Sequence, residues 1–336
     1  MIITRSPVRI SFGGGGTDMP TYFNHFGGAV LSTSINKYIY SIYCRRPDNK
    51  IQLISSNYQT TLTLDDFYSI RFGEGFDIPC AVIKKFEVQH GFDLFLASEI
   101  PPGSGLGSSG SVTVNLIGLC SRLREMELSK QEIAEKAYHI QREDLNLPIG
   151  KQDEYGAALG GLNFIEFKKD GVVVEPVNLS ENTNKKLQKN LLLFFTGQTR
   201  VAADILSSQE DDAAKSVGGV LDAMHNVKQN AYKMREALLA DDLTRFGNLL
   251  DDAWIQKRRM NSKISNEKID AAYTVAKDNG ALGGKLTGAG GGGYLLFYCE
   301  EDNQAKLIEA LAKEGMVNLD FSFDEQGMVF VDQIMK

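Results

Sequence analysis

The chain has 336 residues, 43% hydrophobic and 24% charged, an ordinary globular composition whose length favours two domains over one. Its 43 acidic against 36 basic residues leave a net charge of −7, which argues against non-specific nucleic-acid binding, because that needs a basic footprint. The four cysteines (Cys44, Cys80, Cys120, Cys299) form no CxxC pair, no apolar run approaches the roughly 18 residues of a membrane helix, and the start lacks a signal-peptide core; a reducing, cytoplasmic setting is expected.

Val8, Ile10 and Phe12 alternate with Arg9 and Ser11, which predicts a first strand with one apolar face and Arg9 on the other. Further strands are predicted over 39–44, 51–55 and 93–100, the last stopped by Pro101 and Pro102. Val112, Leu116, Leu119, Cys120, Leu123 and Met126 then recur at helical spacing. Ser129 and Glu132 form a capping box that opens a second helix running to about Glu143. Pro148 and Gly150 break the chain before a short helix over 152–159, which Gly160 and Gly161 end, and a strand follows over 162–167. The polar run 180–189 marks the boundary between an expected first domain, residues 1–184, and a second, residues 185–336. In that second half a buried strand is predicted over 191–196 and helices near 199–209, 212–239, 243–260 and 267–279. A strand over 293–299, a helix over 304–314 and strands over 317–323 and 328–334 complete it. The four histidines, His25, His90, His139 and His225, show no metal-ligand spacing.

Glycine is concentrated in three clusters, 13–16, 103–110 and 283–293, each beside a strand or helix rather than in a flexible linker. The middle one, PPGSGLGSSG over 101–110, joins a strand to a helix, so its backbone N–H groups and the positive end of the helix dipole suit a phosphate. Ser108 or Ser109 can cap the helix or offer oxygen to Mg²⁺. A tight strand-to-helix turn without a ligand is the plainer alternative. Residues 105–110 and 288–293 both match G-x-G-x-x-G, but the acid at dinucleotide-fold distance, Glu125, falls at the end of the same helix rather than of a second strand. Around Lys285 the chain fails the Walker pattern at both ends.

Three segments taken together, Ser6-Pro7-Val8-Arg9-Ile10 through Gly16-Thr17-Asp18, the loop 101–110, and KLTGAGGGG over 285–293, occur in the order and spacing of the GHMP kinases. The chain resembles that family over essentially its whole length. The resemblance implies an α+β fold: an N-terminal mixed α/β domain with a left-handed β-α-β crossover, a C-terminal ferredoxin-like domain with extra helices, and ATP in the cleft between them. It implies that Pro102, Gly103, Ser104, Gly105, Leu106, Gly107, Ser108 and Ser109 wrap the ATP phosphates, that Ser109 and Glu143 hold Mg²⁺, and that Asp153 accepts or orients the proton of the attacking sugar hydroxyl beside Arg9. Asp18, Gly15, Gly16, Thr17, Lys151, Gly290 and Gly291 are the residues expected at the sugar. Gly15 and Gly16 stand where galactokinase-like members carry Glu-His, which removes two galactose contacts and leaves room for a larger sugar. The stretch GKQDEYGAALGG over 150–161 and the quadruple glycine at 13–16 most resemble the members of that family that act on a heptose bearing a 7-phosphate, which implies phosphorylation of that sugar at its anomeric hydroxyl in nucleotide-activated heptose synthesis. A fucokinase or galactokinase-like hexose 1-kinase is the alternative, and an ATP- and sugar-binding sensor without turnover is the second. Lys151, Arg200, Lys257, Arg258 and Arg259 are candidate partners of a substrate phosphate, each also readable as a plain surface charge. The expected partners are ATP and a sugar or sugar phosphate, with no nucleic acid and no membrane, on a monomer or homodimer.

Overall fold

In a computed structural model of the chain, residues 1–199, 205, 207 and 219–331 are described. The helix expected over 199–209, the start of the one expected over 212–239, Arg200 and the end of the last expected strand lie outside the described residues.

The alternating apolar residues near the N-terminus form β1 (Ile2–Gly13), followed by α1 (Pro20–Phe26) and β2 (Gly28–Arg45). β3 (Ile51–Ser55), β4 (Thr60–Leu64), α2 (Asp77–Lys85), β5 (Phe92–Ser98) and α3 (Ser108–Leu123) come next. β2 is three times longer than expected because its first half, rich in serine and threonine, is buried by pairing rather than by apolar alternation: Ser32, Thr33 and Ser34 are all inside. That half pairs with β6 (Leu162–Lys168) and the second half with β5, while β1 runs along the other edge. α4 (Lys130–His139), opened by the expected capping box, and α5 (Gln152–Leu159) precede β6, and β7 (Gly171–Pro176) pairs with it. β3 and β5 are parallel, joined through β4 and α2.

The polar run taken as a boundary is α6 (Glu181–Asn190), capped by Ser180. Beyond it lie β8 (Leu191–Phe195), α7 (Val220–Leu239), α8 (Leu243–Met260), α9 (Glu267–Asp278), β9 (Ala281–Leu286), β10 (Tyr294–Cys299), α10 (Glu301–Lys313) and β11 (Val317–Leu319). Their sheet runs β11-β8-β10-β9, the strand order of a ferredoxin-like domain, all antiparallel. The chain then returns: Phe323 bridges Ile35, and β12 (Val329–Phe330) pairs with β1, so the segment after β11 completes the first sheet.

Two features fix the site between the sheets. Pro7 has no N–H to give the ladder, and the β1–β2 register shifts between Pro7 and Val8. Ser111 of α3 donates to the Pro7 carbonyl at 2.8 Å while Ser6 Oγ donates to Ser111 O at 2.8 Å, and Thr4 Oγ1 donates to Asn115 at 2.7 Å, which docks α3 against β1 by buried polar contacts. On the apolar face of β1, Val8, Ile10 and Phe12 pack with Ala231, Met234, Phe246 and Leu250 of α7 and α8, and the Phe12 and Phe246 rings meet edge-on at 5.3 Å. This shared core holds the second domain over the first. Among the described residues, no helix is long and apolar enough to cross a membrane.

Candidate functional site

The loop between β5 and α3 turns through three left-handed glycines, Gly103 (φ 68°), Gly105 (φ 81°) and Gly107 (φ 80°), a backbone conformation that disfavours any side chain. Gly107 is itself the N-cap of α3 and no side chain caps the helix, so neither Ser108 nor Ser109 does the capping considered from sequence. The first-turn N–H groups are thereby left for a ligand. Ser109 is exposed; Ser104 is buried and its hydroxyl has no hydrogen-bond partner among the described residues. Leu106 faces the core, and Pro102 and Gly103 form the outer rim.

Arg9 ties this loop to Asp153. Its backbone N–H donates to Leu106 O at 3.0 Å and its Nη1 to Gly105 O at 2.8 Å, while Nε and Nη2 reach Asp153 Oδ1 at 2.8 and 2.6 Å. The strand places Arg9 on the face opposite Val8, as the alternation requires, but that face is covered: Arg9 is 3% exposed. Asp153 lies one residue inside α5, whose N-cap is Lys151, so it does not cap the helix.

On the far side of Asp153, the 13–18 loop folds over the N-terminus of α5. Asp18 accepts from Gly16 N at 2.9 Å, Gln152 Nε2 at 3.1 Å and Gln152 N at 3.2 Å, and so caps α5 from outside the helix. Burial and then the charge of Asp153 raise the Asp18 pKa, against the pull of the backbone N–H groups. A Cβ placed on Gly15 would touch Ser11 Oγ at 3.4 Å and the Gln152 amide at 3.5 Å. Among the described residues Ser11 Oγ and Gln152 Oε1 are buried atoms without a hydrogen-bond partner, free to meet a polar ligand. Sequence reasoning missed both. The signal was present, since Ser11 shares the strand face of Arg9 and Gln152 adjoins Asp153.

Other expected residues are committed elsewhere. Thr17 donates to Gly14 O at 2.7 Å and pairs with the Ala29 backbone, closing its own loop. The Lys151 ammonium is held by Glu135 at 2.8 Å, above the Tyr138 ring. Gly291 N donates to Ile264 O at 2.9 Å, and Gly290 packs on the same residue. The ends of that third glycine cluster do meet the phosphate loop: a Cβ on Gly288 would strike Gly105, and one on Gly293 would strike Ser104.

Glu143 sits in the π-helical turn Ile140–Asp144 at the end of α4, 63% exposed and bonded to His139 Nδ1 at 2.8 Å. A second acid, unforeseen, adjoins Asp153 directly. Glu154 is buried, accepts from Gln141 Nε2 at 2.7 Å, and leaves its Oε2 unpartnered, as Gln141 leaves its own Oε1. Burial, then the charge of Asp153, pushes the Glu154 pKa well up. From the second domain come two lysines, both buried. Lys285 donates to Ser11 O at 2.7 Å, and Lys257 to Gly288 O.

A buried arginine thus clamps a glycine loop to an acid, and a second glycine loop from another domain roofs them. The chain matches the GHMP kinases N terminal domain over residues 77–161 and the GHMP kinases C terminal domain over 234–317. It belongs to the GHMP kinase family. The D-glycero-alpha-D-manno-heptose 7-phosphate kinase of Campylobacter jejuni is 34% identical over 97% of this chain and 98% of its own. The L-fucokinase/L-fucose-1-P guanylyltransferase of Bacteroides fragilis is 28% identical over 94% of this chain and 36% of its own. The crystal structure of a D-glycero-D-manno-heptose 1-phosphate kinase from Bacteroides thetaiotaomicron superposes with a TM-score of 0.82, at 25% identity, over 98% of each chain. The two-domain architecture expected from sequence is that of the GHMP kinases, and the chain is a kinase.

Proposed function

We propose that this GHMP kinase transfers the γ-phosphoryl group of ATP to the anomeric hydroxyl of D-glycero-D-manno-heptose 7-phosphate. The observation that carries the transfer is the one-oxygen pairing of Arg9 with Asp153, which leaves Asp153 Oδ2 for the acceptor. The acceptor hydroxyl gives its proton to Asp153, its oxygen forms the new bond to the γ-phosphorus, and the bond to the ADP oxygen breaks. Arg9 holds the acid and the loop at Gly105 in one geometry, so the two reactants are positioned by a single side chain. The left-handed loop 103–107 and the α3 N-terminus receive the nucleotide phosphates.

The oxygens available to a hard cation are those of Ser109, exposed at the start of α3, and of the carboxylates Glu143, at the end of α4, and Glu154, on α5. Mg²⁺ bound there would neutralise charge on the phosphates. Ser109 and Glu143 are the residues we assign to it, with Glu154 as the competing acid.

The heptose assignment rests on the Campylobacter relative and on the space at Gly15, where Ser11 and Gln152 offer unpartnered oxygens. A panel of sugars with ATP, with the product's phosphate position read by phosphorus NMR, tests it. The expected result is a kcat/KM for heptose 7-phosphate far above that for the unphosphorylated heptose, galactose or fucose. Equal values for the two heptoses, or a better value for fucose or galactose, reject the acceptor and leave the sugar kinase standing.

A further inference from the structure

Lys257 occupies the last turn of α8 and is only 6% exposed, although a lysine there has length enough to reach water. Its ammonium donates to Gly288 O, at the end of the third glycine cluster that touches Gly105. That is one of three donors. Among the described residues no carboxylate is bonded to it, and an ammonium buried without a partner acid is costly unless something else is to be bound.

The charges around it say what. Lys257 feels Arg9 on β1, Asp18 in the 13–18 loop and Asp153 on α5, and Lys285 on β9 feels both Lys257 and Arg9. Arg9 and Lys257 therefore face Asp18 and Asp153, while burial pushes the pKa of the third acid, Glu154, well up and that of Lys285 well down. Arg9 already binds Asp153, and Asp18 is spent on backbone and amide N–H groups. Among the described residues neither acid accepts from Lys257, so two of its three N–H donors are left for an anion beside the glycine loop that Gly288 touches.

We propose that Lys257 is a catalytic residue, donating from the second domain to the non-bridging oxygens of the phosphoryl group during its transfer. This rests on the phosphoryl-transfer reading and not on the identity of the sugar. Preorganised donors aimed at developing charge stabilise the transition state more than the bound substrates. Gly288 orients the ammonium and itself packs on Gly105, so the cation is held by the same glycine loop that meets the phosphate loop. Burial and Arg9 also bring the Lys257 pKa down to about 8, so the charge is held near neutral pH and lost in mild alkali.

The test compares wild type with Lys257→Met and Lys257→Arg by calorimetry and turnover. In Lys257→Met, the affinity for Mg²⁺ and a non-hydrolysable ATP analogue should stay within about threefold, while kcat falls about 10²- to 10³-fold. Affinity for ADP with aluminium fluoride plus sugar, which mimics the group in flight, should fall by a similar factor. Lys257→Arg should recover part of both, and its kcat/KM should lack the wild type's decline above about pH 8. Retention of more than a third of kcat in Lys257→Met overturns the proposal, as does an equal loss of affinity for the ATP analogue and the fluoride complex, which would mean loop anchoring only. Should Lys257→Met fail to fold by thermal melt, Lys257→Gln carries the same comparison. The sugar used is whichever the acceptor panel returns; failure of the wild type itself on heptose 7-phosphate bears on the acceptor and not on Lys257.

Discussion

Arg9 grips Asp153 by one oxygen, Nε and Nη2 converging on Oδ1 at 2.8 and 2.6 Å, while among the described residues Oδ2 accepts nothing. A bidentate fork spread over both oxygens would have consumed the acid. The single-oxygen pair instead orients it, with the same guanidinium bonded to the phosphate loop at Gly105.

Asp153→Asn keeps that shape and removes the base. Turnover should fall about 10²- to 10⁴-fold, equivalent to roughly 3 to 5 kcal/mol of barrier, with nucleotide affinity unchanged. Steady-state rates and calorimetric titration of an ATP analogue check it; retention of more than half the wild-type rate removes Asp153 from the mechanism.

Much of this site was legible because its parts are local. The glycine loop, the capping box at Ser129 and Glu132, the short helix over 152–159 and the strand bearing Arg9 each follow from spacing within a few residues. What escaped depends on long-range packing. β2 was read at a third of its length because buried serines do not alternate as apolar residues do. The return of β12 to β1 has no local signature, and it takes the C-terminal segment out of the domain expected to run to residue 336. Lys257, Arg258 and Arg259 read alike in sequence, as candidate phosphate partners or plain surface charges, yet Arg258 pairs with Asp270 and Arg259 with Gln256 on the outside while Lys257 turns inward.

Gly110 stands in the first turn of α3, where packing leaves no room for a side chain. A Cβ there would lie 2.8 Å from Asp153 Cβ and 3.1 Å from the Asp153 carbonyl carbon and Glu154 N, so α5 must shift to admit it. Gly110→Ala should gain about 1 kcal/mol of helix propensity and lose more, about 1–3 kcal/mol, to overpacking. We expect a lower melting temperature together with a fall in kcat of about tenfold or more from the displaced acid. A variant that melts higher and turns over normally contradicts the geometry.

Two acids, Glu143 and Glu154, are the candidates we propose for Mg²⁺, and variants of each separate them. Glu143→Gln in the Ser109→Ala background should raise the Mg²⁺ concentration for half-maximal rate if Glu143 reaches the ion despite its bond to His139. Glu154→Gln should leave that concentration unchanged while affecting stability, since it removes an acid whose pKa burial has raised. A magnesium titration that moves with Glu154→Gln alone transfers the assignment to Glu154. Binding of Mn²⁺ followed by electron paramagnetic resonance reads the same contrast without turnover.

The orphan oxygens at Ser11 and Gln152 predict where acceptor specificity lies. Ser11→Ala and Gln152→Leu should each raise the acceptor KM about tenfold, the worth of a hydrogen bond in a buried polar site, and leave the ATP KM within twofold. Gln152→Leu also removes a donor to Asp18, so a larger effect is expected there. An equal rise in both KM values would mean that the variants disturb the loop rather than the sugar.

Lys257 carries a stability consequence whose sign follows from its burial. Its pKa falls from 10.5 to about 8 on folding, largely by desolvation, so folding works against the charged form by roughly 3 kcal/mol. Below pH 8 both native and unfolded chains are protonated there and the penalty is fully felt. Between about 8 and 10.5 the unfolded chain holds a proton that the native one has released, so this group's contribution improves as pH rises, and above 10.5 the penalty is gone. Methionine fills the same volume without the charge and forfeits one hydrogen bond to Gly288, about 1 kcal/mol. Lys257→Met should therefore be more stable than wild type near pH 7 by roughly 1–2 kcal/mol, and the difference should shrink and reverse toward pH 10.5, where only the lost hydrogen bond remains. Urea unfolding at a series of pH values measures it, the two proteins sharing every other titrating group. A stabilised but slow enzyme is what a residue kept for charge rather than for packing should leave behind; a variant less stable than wild type at pH 7 would assign Lys257 to the architecture of the glycine loop instead.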